Sequence, residues 1–365
     1  MLVVKSLELR DWRNFERRTI DFSNGLTVLH GRNATGKTNA VEALQTLTAG
    51  ASFRHPKPSQ LVREGADSAR IDARIEGDGR VIDVTCKVMN GRRSFERNGK
   101  HCVAADLSET LMSVLFTPDD LSIIKRGASH RRNEIDDFGR QANRGYGRLL
   151  AAYTRAVEQR NRLLKEDYPD LSLLAAWDAS VALGGASLLS ARVRLFKRLA
   201  THIRQIYARI ADGEELDCRY VSSLDDDVDF SEIPRDQIRD LFLQRLEERR
   251  ADELRRQQTL VGPQRDDIVF EVGGRNARDF ASQGQQRSII LAWKMAEVEL
   301  SSEVVGTKPL LLLDDVMSEL DEVRRAAMTG FVKDNIQTVI TTANLGYFPQ
   351  ELLVGAEVVP IGQDL

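Results

Sequence analysis

Polar and apolar positions along this chain change rhythm repeatedly. Near the N-terminus they alternate: Leu2 to Leu9 reads as a strand, Ile20-Asp21-Phe22 begins a second, and Leu26-Thr27-Val28-Leu29-His30 reads as a short buried third. Asn39 to Leu47 then takes a helical period. Residues 69 to 103 return to short alternating runs, punctuated by Asn90-Gly91 and Asn98-Gly99, residue pairs that suit the left-handed turns of tight hairpins. From about Lys125 to Gln258 the period is that of long helices. Tyr146, Leu150, Tyr153, Val157, Arg160 and Leu164 step by four and three with one polar break at Arg160. Leu189, Val193, Phe196, Ala200, Ile203, Tyr207 and Ile210 repeat the stepping without a break. Two seams on either side of a Pro169-containing turn region predict an antiparallel helical hairpin, an arm on the order of 30 Å long. A charged helix follows at Asp236 to Gln258, then a β pair at 268 to 279. Ala281–Arg287 opens a helix whose apolar face is Ile289, Trp293, Ala296 and Leu300. Leu310–Leu313 is a continuous apolar run suited to a parallel strand covered on both faces, and Val339-Ile340-Thr341-Thr342 reads as one more. The expected architecture is a split α/β head, residues 1–124 and 259–365, with an inserted helical arm at 125–258.

Composition narrows this picture. With 365 residues, 42% hydrophobic and 29% charged, the chain has room for two domains. No leader pattern and no apolar run of membrane-spanning length stands out, so no membrane role is expected. Three cysteines, none in a CxxC pair, argue against a zinc site or a disulfide framework and for a reducing cytoplasm. A net charge of -3 means that any nucleic-acid contact has to be local. Two basic stretches qualify: Arg80, Lys87, Arg92, Arg93, Arg97 and Lys100 against Asp83 and Glu96, and residues 125–165, with eleven Lys/Arg against four Asp/Glu. The following 166–234 has seven against thirteen, including Asp225-Asp226-Asp227, which reads as a solvated loop.

The chemistry sits in two clusters. Gly31-Arg32-Asn33-Ala34-Thr35-Gly36-Lys37-Thr38 fits the G-x-x-x-x-G-K-[ST] phosphate loop between a strand and a helix. Backbone N–H groups at such a helix start hold an anion, Lys37 is expected to reach the β- and γ-phosphates of ATP, and the Thr38 hydroxyl is expected to ligate Mg²⁺. In the second cluster the Leu310–Leu313 run closes on Asp314-Asp315. Asp314 is the expected second Mg²⁺ contact, through water, and Asp315 the group that polarises the attacking water. Upstream, Ser282 is a good N-cap, and Gly284 lets backbone approach a ligand.

Taken together, the order resembles that of ABC-type ATPases. Ser282-Gln283-Gly284-Gln285 is similar to their signature motif and Ser318-Glu319-Leu320-Asp321 to their D-loop. The resemblance implies a nucleotide sandwiched between two copies of the chain, with Ser282, Gly284 and Gln285 closing on the γ-phosphate in trans. About 245 residues between Lys37 and Ser282, with a coiled arm between, resemble the SMC-like repair branch and not transporters. Arg10-Asp11-Trp12-Arg13-Asn14-Phe15, Ser52-Phe53-Arg54, Phe116–Leu121, Gln159–Lys165 and Gly262-Pro263-Gln264-Arg265-Asp266-Asp267 are similar, in order, to landmarks of the RecF family.

That family resemblance implies an ATP-dependent homodimer that binds double-stranded DNA at single-strand gaps and junctions. It also implies action with RecR and RecO to load RecA in gap repair and the SOS response, in a nucleoid-associated cytoplasmic setting. Arg13 is then expected at the nucleotide, and Arg54, Arg92, Arg93, Arg131 and Arg132 at DNA. Three departures stand out: Gln264 where the family commonly has His, Thr342 where ABC ATPases usually have a switch His, and Asp315 where transporters have Glu. A shorter acid and no switch histidine point to slow hydrolysis. Two other readings stay open, a nucleotide-gated dimerising scaffold and another SMC-like chromosome or defence ATPase.

Overall fold

A computed structural model describes residues 1–333 and 336–362; the expected head boundary at 365 lies outside them. The chain divides into two compact units, Met1–Leu121 with Arg287–Leu365, and Ser122–Gln286. In chain order the first unit opens with β1 (Val3–Trp12), β2 (Phe15–Asp21), β3 (Leu26–His30) and helix α1 (Lys37–Ala49). It continues through β4 (Ser68–Gly77), β5 (Arg80–Met89), β6 (Arg92–Arg97), β7 (Lys100–Cys102) and β8 (Ser113–Phe116). The second unit holds α2 (Ala128–Ala142), α3 (Arg144–Leu163), α4 (Leu171–Ile210), β9 (Leu216–Val221), α5 (Arg235–Arg256), β10 (Asp267–Val272), β11 (Arg275–Asn276) and α6 (Ala277–Phe280). Helix α7 (Gln283–Val305) carries the chain back into the first unit, followed by β12 (Leu310–Asp314), α8 (Glu322–Val332), β13 (Thr338–Thr342), α9 (Gln350–Val354) and β14 (Glu357–Pro360).

Among the described residues, two sheets build the first unit. One runs β2-β1-β4-β5-β6-β7 and is antiparallel throughout. Its hairpin turns place Asn90-Gly91 and Asn98-Gly99 at positive φ, as their residue types suggest. The other runs β14-β3-β13-β12-β8 and is parallel, with β12 and β13 entirely buried. This places the phosphate-loop strand β3 and the acid-bearing strand β12 on either side of β13. Two strands of this sheet left little mark on the sequence. β8 spans four residues, and β14 is an exposed edge closed by Pro360, a residue that an interior strand would exclude.

In the second unit, Tyr146 meets Arg192, a Cβ at Gly185 would touch Tyr153, and Arg160 meets Asp178. These pairs advance by seven residues on α3 while retreating by seven on α4, which is an antiparallel heptad register. The expected short antiparallel coiled coil within an inserted helical arm is therefore present, in addition to the α/β head. Its second helix starts at Leu171, well before the seam expected from Leu189. The extra turns contain two poor helix formers, Gly184 and Gly185, and a Cβ at Gly185 would run into the Phe242 ring. Helix α4 also corrects the expectation about apolar runs: by length and composition it could cross a membrane. One side of it is packed here, with Val181, Ala182, Leu188, Leu189, Val193 and Phe196 buried and the guanidinium of Arg192 buried among polar partners. The second unit extends to Gln286, past the expected boundary at 258, because β10 pairs along its length with β9, a strand inside the acidic stretch.

Candidate nucleotide site

Strand β3 ends at His30, the chain turns through Gly31–Gly36, and α1 starts at Lys37. Gly36 has φ 106°, and a Cβ there would meet the Asn14 side chain and the Phe15 ring at 2.7 Å. A Cβ at Gly31 would run into the Ile361 carbonyl. Both motif glycines are therefore already required by protein neighbours. Arg32, Asn33 and Ala34 form the exposed crest. The Thr35 hydroxyl donates to the Arg32 carbonyl at 2.9 Å, and Asn14 donates to the Thr35 carbonyl at 3.1 Å. Lys37 is 6% exposed, and its ammonium donates to the Gly31 and Arg32 carbonyls, each at 2.8 Å. Burial lowers its pKa, against the pull of Asp315 and Asp314.

Opposite the loop, Thr38 donates to Asp314 Oδ1 at 3.0 Å, and Thr341 donates to the same oxygen at 2.7 Å. Asp314 is 5% exposed; its burial raises the carboxyl pKa, and the two hydroxyls and the charges of Arg54 and Lys37 offset this only in part. The Thr341 hydroxyl also accepts from the Asp315 N–H at 2.9 Å, so one side chain fixes both acids. Asp315 takes a left-handed φ of 54° and is half-buried. Its pKa is raised by burial and by Asp314 and Glu319, with Lys37 opposing. A threonine hydroxyl beside a buried, ionisable carboxylate is an oxygen donor set that suits Mg²⁺, and the loop backbone with Lys37 suits a polyphosphate. Thr341 is a candidate site residue that the sequence motifs do not point to; its signal is its place on the strand flanking the Asp314 strand.

Arg13, expected at the nucleotide, is held against the loop helix. Its guanidinium is bidentate on the fully buried Glu42 of α1 at 2.8 and 2.6 Å and also donates to the Gln60 carbonyl. It braces the loop helix. Asn39 of the same helix donates to Asn14 at 2.7 Å and accepts from Arg54 at 2.8 Å, extending the brace to an exposed arginine.

Gly31–Thr38, Asp314 and Asp315 share the first unit, whereas Ser282, Gly284 and Gln285 belong to the second. Ser282 caps α7 reciprocally: the Gln285 N–H donates to Ser282 Oγ at 3.2 Å, and the Ser282 N–H donates to Gln285 Oε1 at 2.8 Å. Further along α7, Ser288 accepts from Arg324 at 2.9 Å, which ties the helix to the segment after Ser318–Asp321. At the switch position the Thr342 hydroxyl donates to the Asn344 carbonyl and accepts from the Asn344 N–H, closing its own turn.

Of the arginines expected at DNA, Arg54, Arg92 and Arg93 are exposed. Arg131 is corrected: it is 3% exposed, bidentate on Asp267 at 2.8 and 2.9 Å, and bonded to the carbonyls of Ile123, Ile124 and Arg126. It anchors a loop and offers little to a phosphate. Arg132 is half-buried and donates to the Asp266 carbonyl; burial and then Arg192 lower its pKa.

The chain is similar to known proteins along almost its whole length. The family model described as the RecF/RecN/SMC N terminal domain matches residues 3–353. The DNA replication and repair protein RecF of Symbiobacterium thermophilum is 40% identical over 94% of this chain and 92% of its own length. That of Heliobacterium modesticaldum is 36% identical over 96% and 95%. The solved "recombination mediator protein RecF-ATPrS in RecFOR pathway" aligns with a TM-score of 0.89 at 28% identity, covering 99% of this chain and 97% of that one. An Smc head domain from Pyrococcus furiosus, at TM-score 0.55 and 17% identity, shares the fold.

Proposed function

The chain belongs to the RecF family of DNA replication and repair proteins, and on that premise we propose that it is a recombination-mediator ATPase that dimerises around ATP and binds double-stranded DNA at single-strand gaps and junctions. The observation that carries this reading is the convergence of Lys37, Thr38 and Asp314 with Thr341 at the mouth of the phosphate loop. The first compact unit serves as the ATPase head and the second as the arm. Thr38 and Asp314 hold Mg²⁺, Gly31–Thr38 cradle the phosphates, and the Lys37 ammonium answers β- and γ-phosphate charge. Bound Mg²⁺ supplies charge neutralisation to phosphoryl transfer. Asp315 accepts the proton of the attacking water; its raised pKa brings it toward a working base, and the protein holds it with Lys37 at hand. Ser282 and Gly284 of a second copy close on the γ-phosphate, with Gln285 positioning the cap. The solved RecF structures with ATP and its analogue support ATP as the nucleotide.

In the cell this reading places the protein in the cytoplasm, on the nucleoid, acting with RecR and RecO to load RecA in gap repair and the SOS response. One observation favours a nucleotide-gated scaffold as a second reading: Thr342 is occupied within its own turn and supplies no switch group. Sedimentation with and without ATP-Mg²⁺ and gapped duplex separates the two. A dimer that forms with ATP, binds gapped duplex more tightly and turns over faster on it is the expected result. If DNA changes neither turnover nor assembly, the repair reading falls and the scaffold stands. Ser282→Arg should abolish the dimer while the monomer still binds nucleotide.

A further inference from the structure

The last turn of α4 does more than end a helix. Tyr207, fully buried on its seam, donates from its hydroxyl to Glu214 Oε2 at 2.6 Å. Glu214 is brought back to that turn by two left-handed residues, Asp212 at φ 52° and Gly213 at φ 84°, with the Gly213 N–H on the Ala208 carbonyl. Its other oxygen, Oε1, accepts from Gln285 Nε2 at 2.6 Å. The amide of Gln285 then presents Oε1 to the Ser282 N–H. A side-chain amide can flip with little steric penalty, and here the carboxylate decides its orientation, since only the NH₂ end can face Glu214.

We propose that Glu214 is a positioning residue for the nucleotide clamp: through Gln285 it fixes the N-cap of α7 and links that cap to the end of the long arm helix. The proposal rests on the reading of Ser282 as the group that closes on a second copy's nucleotide. Glu214 itself touches no phosphate in this scheme. It makes the arm helix a part of the clamp, so that a disturbance at the end of α4 is felt at the cap. The sequence hides the relay, because Tyr207 reads as one more seam residue and Glu214 as part of a solvated acidic stretch.

Four variants of the full chain test this, each followed by sedimentation with ATP-Mg²⁺, by nucleotide binding to the monomer, and by thermal unfolding. Glu214→Ala should weaken ATP-driven dimerisation by about tenfold or more, the loss of a charge-assisted hydrogen bond in each copy, with monomer nucleotide affinity and melting temperature unchanged. Glu214→Gln keeps one acceptor oxygen and should fall between Glu214→Ala and the unmodified chain, as should Tyr207→Phe. Ser282→Arg is the control. If it abolishes the dimer while Glu214→Ala and Glu214→Gln dimerise normally, the positioning role is overturned and the clamp stands. If Ser282→Arg dimerises normally too, both are overturned. Should Glu214→Ala melt early, the milder Glu214→Gln and Tyr207→Phe take its place, and normal dimerisation by both overturns the proposal.

Discussion

In the helical unit Arg160 lies wholly buried against Asp178 and Glu253, each at 2.6 Å, with Thr259 on its third nitrogen. In the head Asp314 is buried almost as deeply, yet its hydrogen bonds come from two neutral hydroxyls on one oxygen. The first arrangement matches every charge with an opposite one, since Arg250 also donates to Asp178 at 2.9 Å, and locks three segments together. The second leaves a carboxylate whose ionisation the protein itself makes costly, as the raised pKa records. A buried acid stabilised by hydroxyls is poised for a cation from outside; a buried acid facing a guanidinium is already answered. The difference separates a site from a strut, although both are clusters of buried charge.

Removing the strut should have the largest effect on stability. Arg160→Ala leaves Glu253 with the Leu260 N–H as a remaining donor and should cost about 3–5 kcal/mol of unfolding free energy, measured by urea titration. Replacing Arg160, Asp178 and Glu253 together with apolar residues of similar volume should recover most of that loss, since no wholly buried charge is then stranded and Arg250, which loses Asp178, keeps Glu247. A triple variant as unstable as the single one would mean that the network contributes more than mutual compensation.

Asp314→Asn tests the other half of the comparison. The amide oxygen can still accept from Thr38 and Thr341, so unfolding free energy near neutral pH should change by no more than about 1 kcal/mol. Mg²⁺-dependent ATP binding should fall by at least about tenfold, as expected when a metal-binding carboxylate is neutralised. Because the folded pKa of Asp314 is raised, its contribution to stability is present below the ordinary aspartate range and lost as pH rises through the raised value. Nucleotide-free chains with Asp and Asn at 314 should therefore differ in the slope of stability against pH over that window. Parallel curves would show that burial does not tax the carboxylate. Asp315→Asn should instead spare nucleotide binding, slow hydrolysis by roughly a hundredfold and leave a persistent ATP dimer, read by product release and sedimentation.

The head was legible because its chemistry is local or falls at strand ends. Gly31–Thr38 is contiguous, and Asp314-Asp315 closes an apolar run that stands out by composition. Pairing hid the rest. Thr341 acquires its role only when β13 lies beside β12, and Glu42 looks like an ordinary helix acid until Arg13 is folded onto it. Arg160 was visible as a polar break in an apolar seam, a signal that something has to answer it. Arg192 gave no comparable signal, since its partners Asp136, Tyr220 and the Pro263 carbonyl come from three distant segments. Arg131 misled for the same reason: arginine counts register charge and say nothing about whether an Asp267 already holds it.

That last contrast predicts the smallest effect. Arg92 and Arg93 stand exposed on β6, a strand of the head's antiparallel sheet, so Arg92→Ala with Arg93→Ala should leave the melting temperature unchanged. If both contact phosphate, binding to gapped duplex should weaken modestly, and the slope of log affinity against log salt should become shallower by roughly 2, about 0.9 per lost contact. Arg131→Ala should do the reverse, destabilising the fold by stranding Asp267 while leaving the salt slope of any folded protein as it was. A shallower slope from Arg131→Ala without loss of stability would place DNA on a guanidinium that the geometry gives to Asp267, and the distinction between answered and available charge would fail at its simplest case.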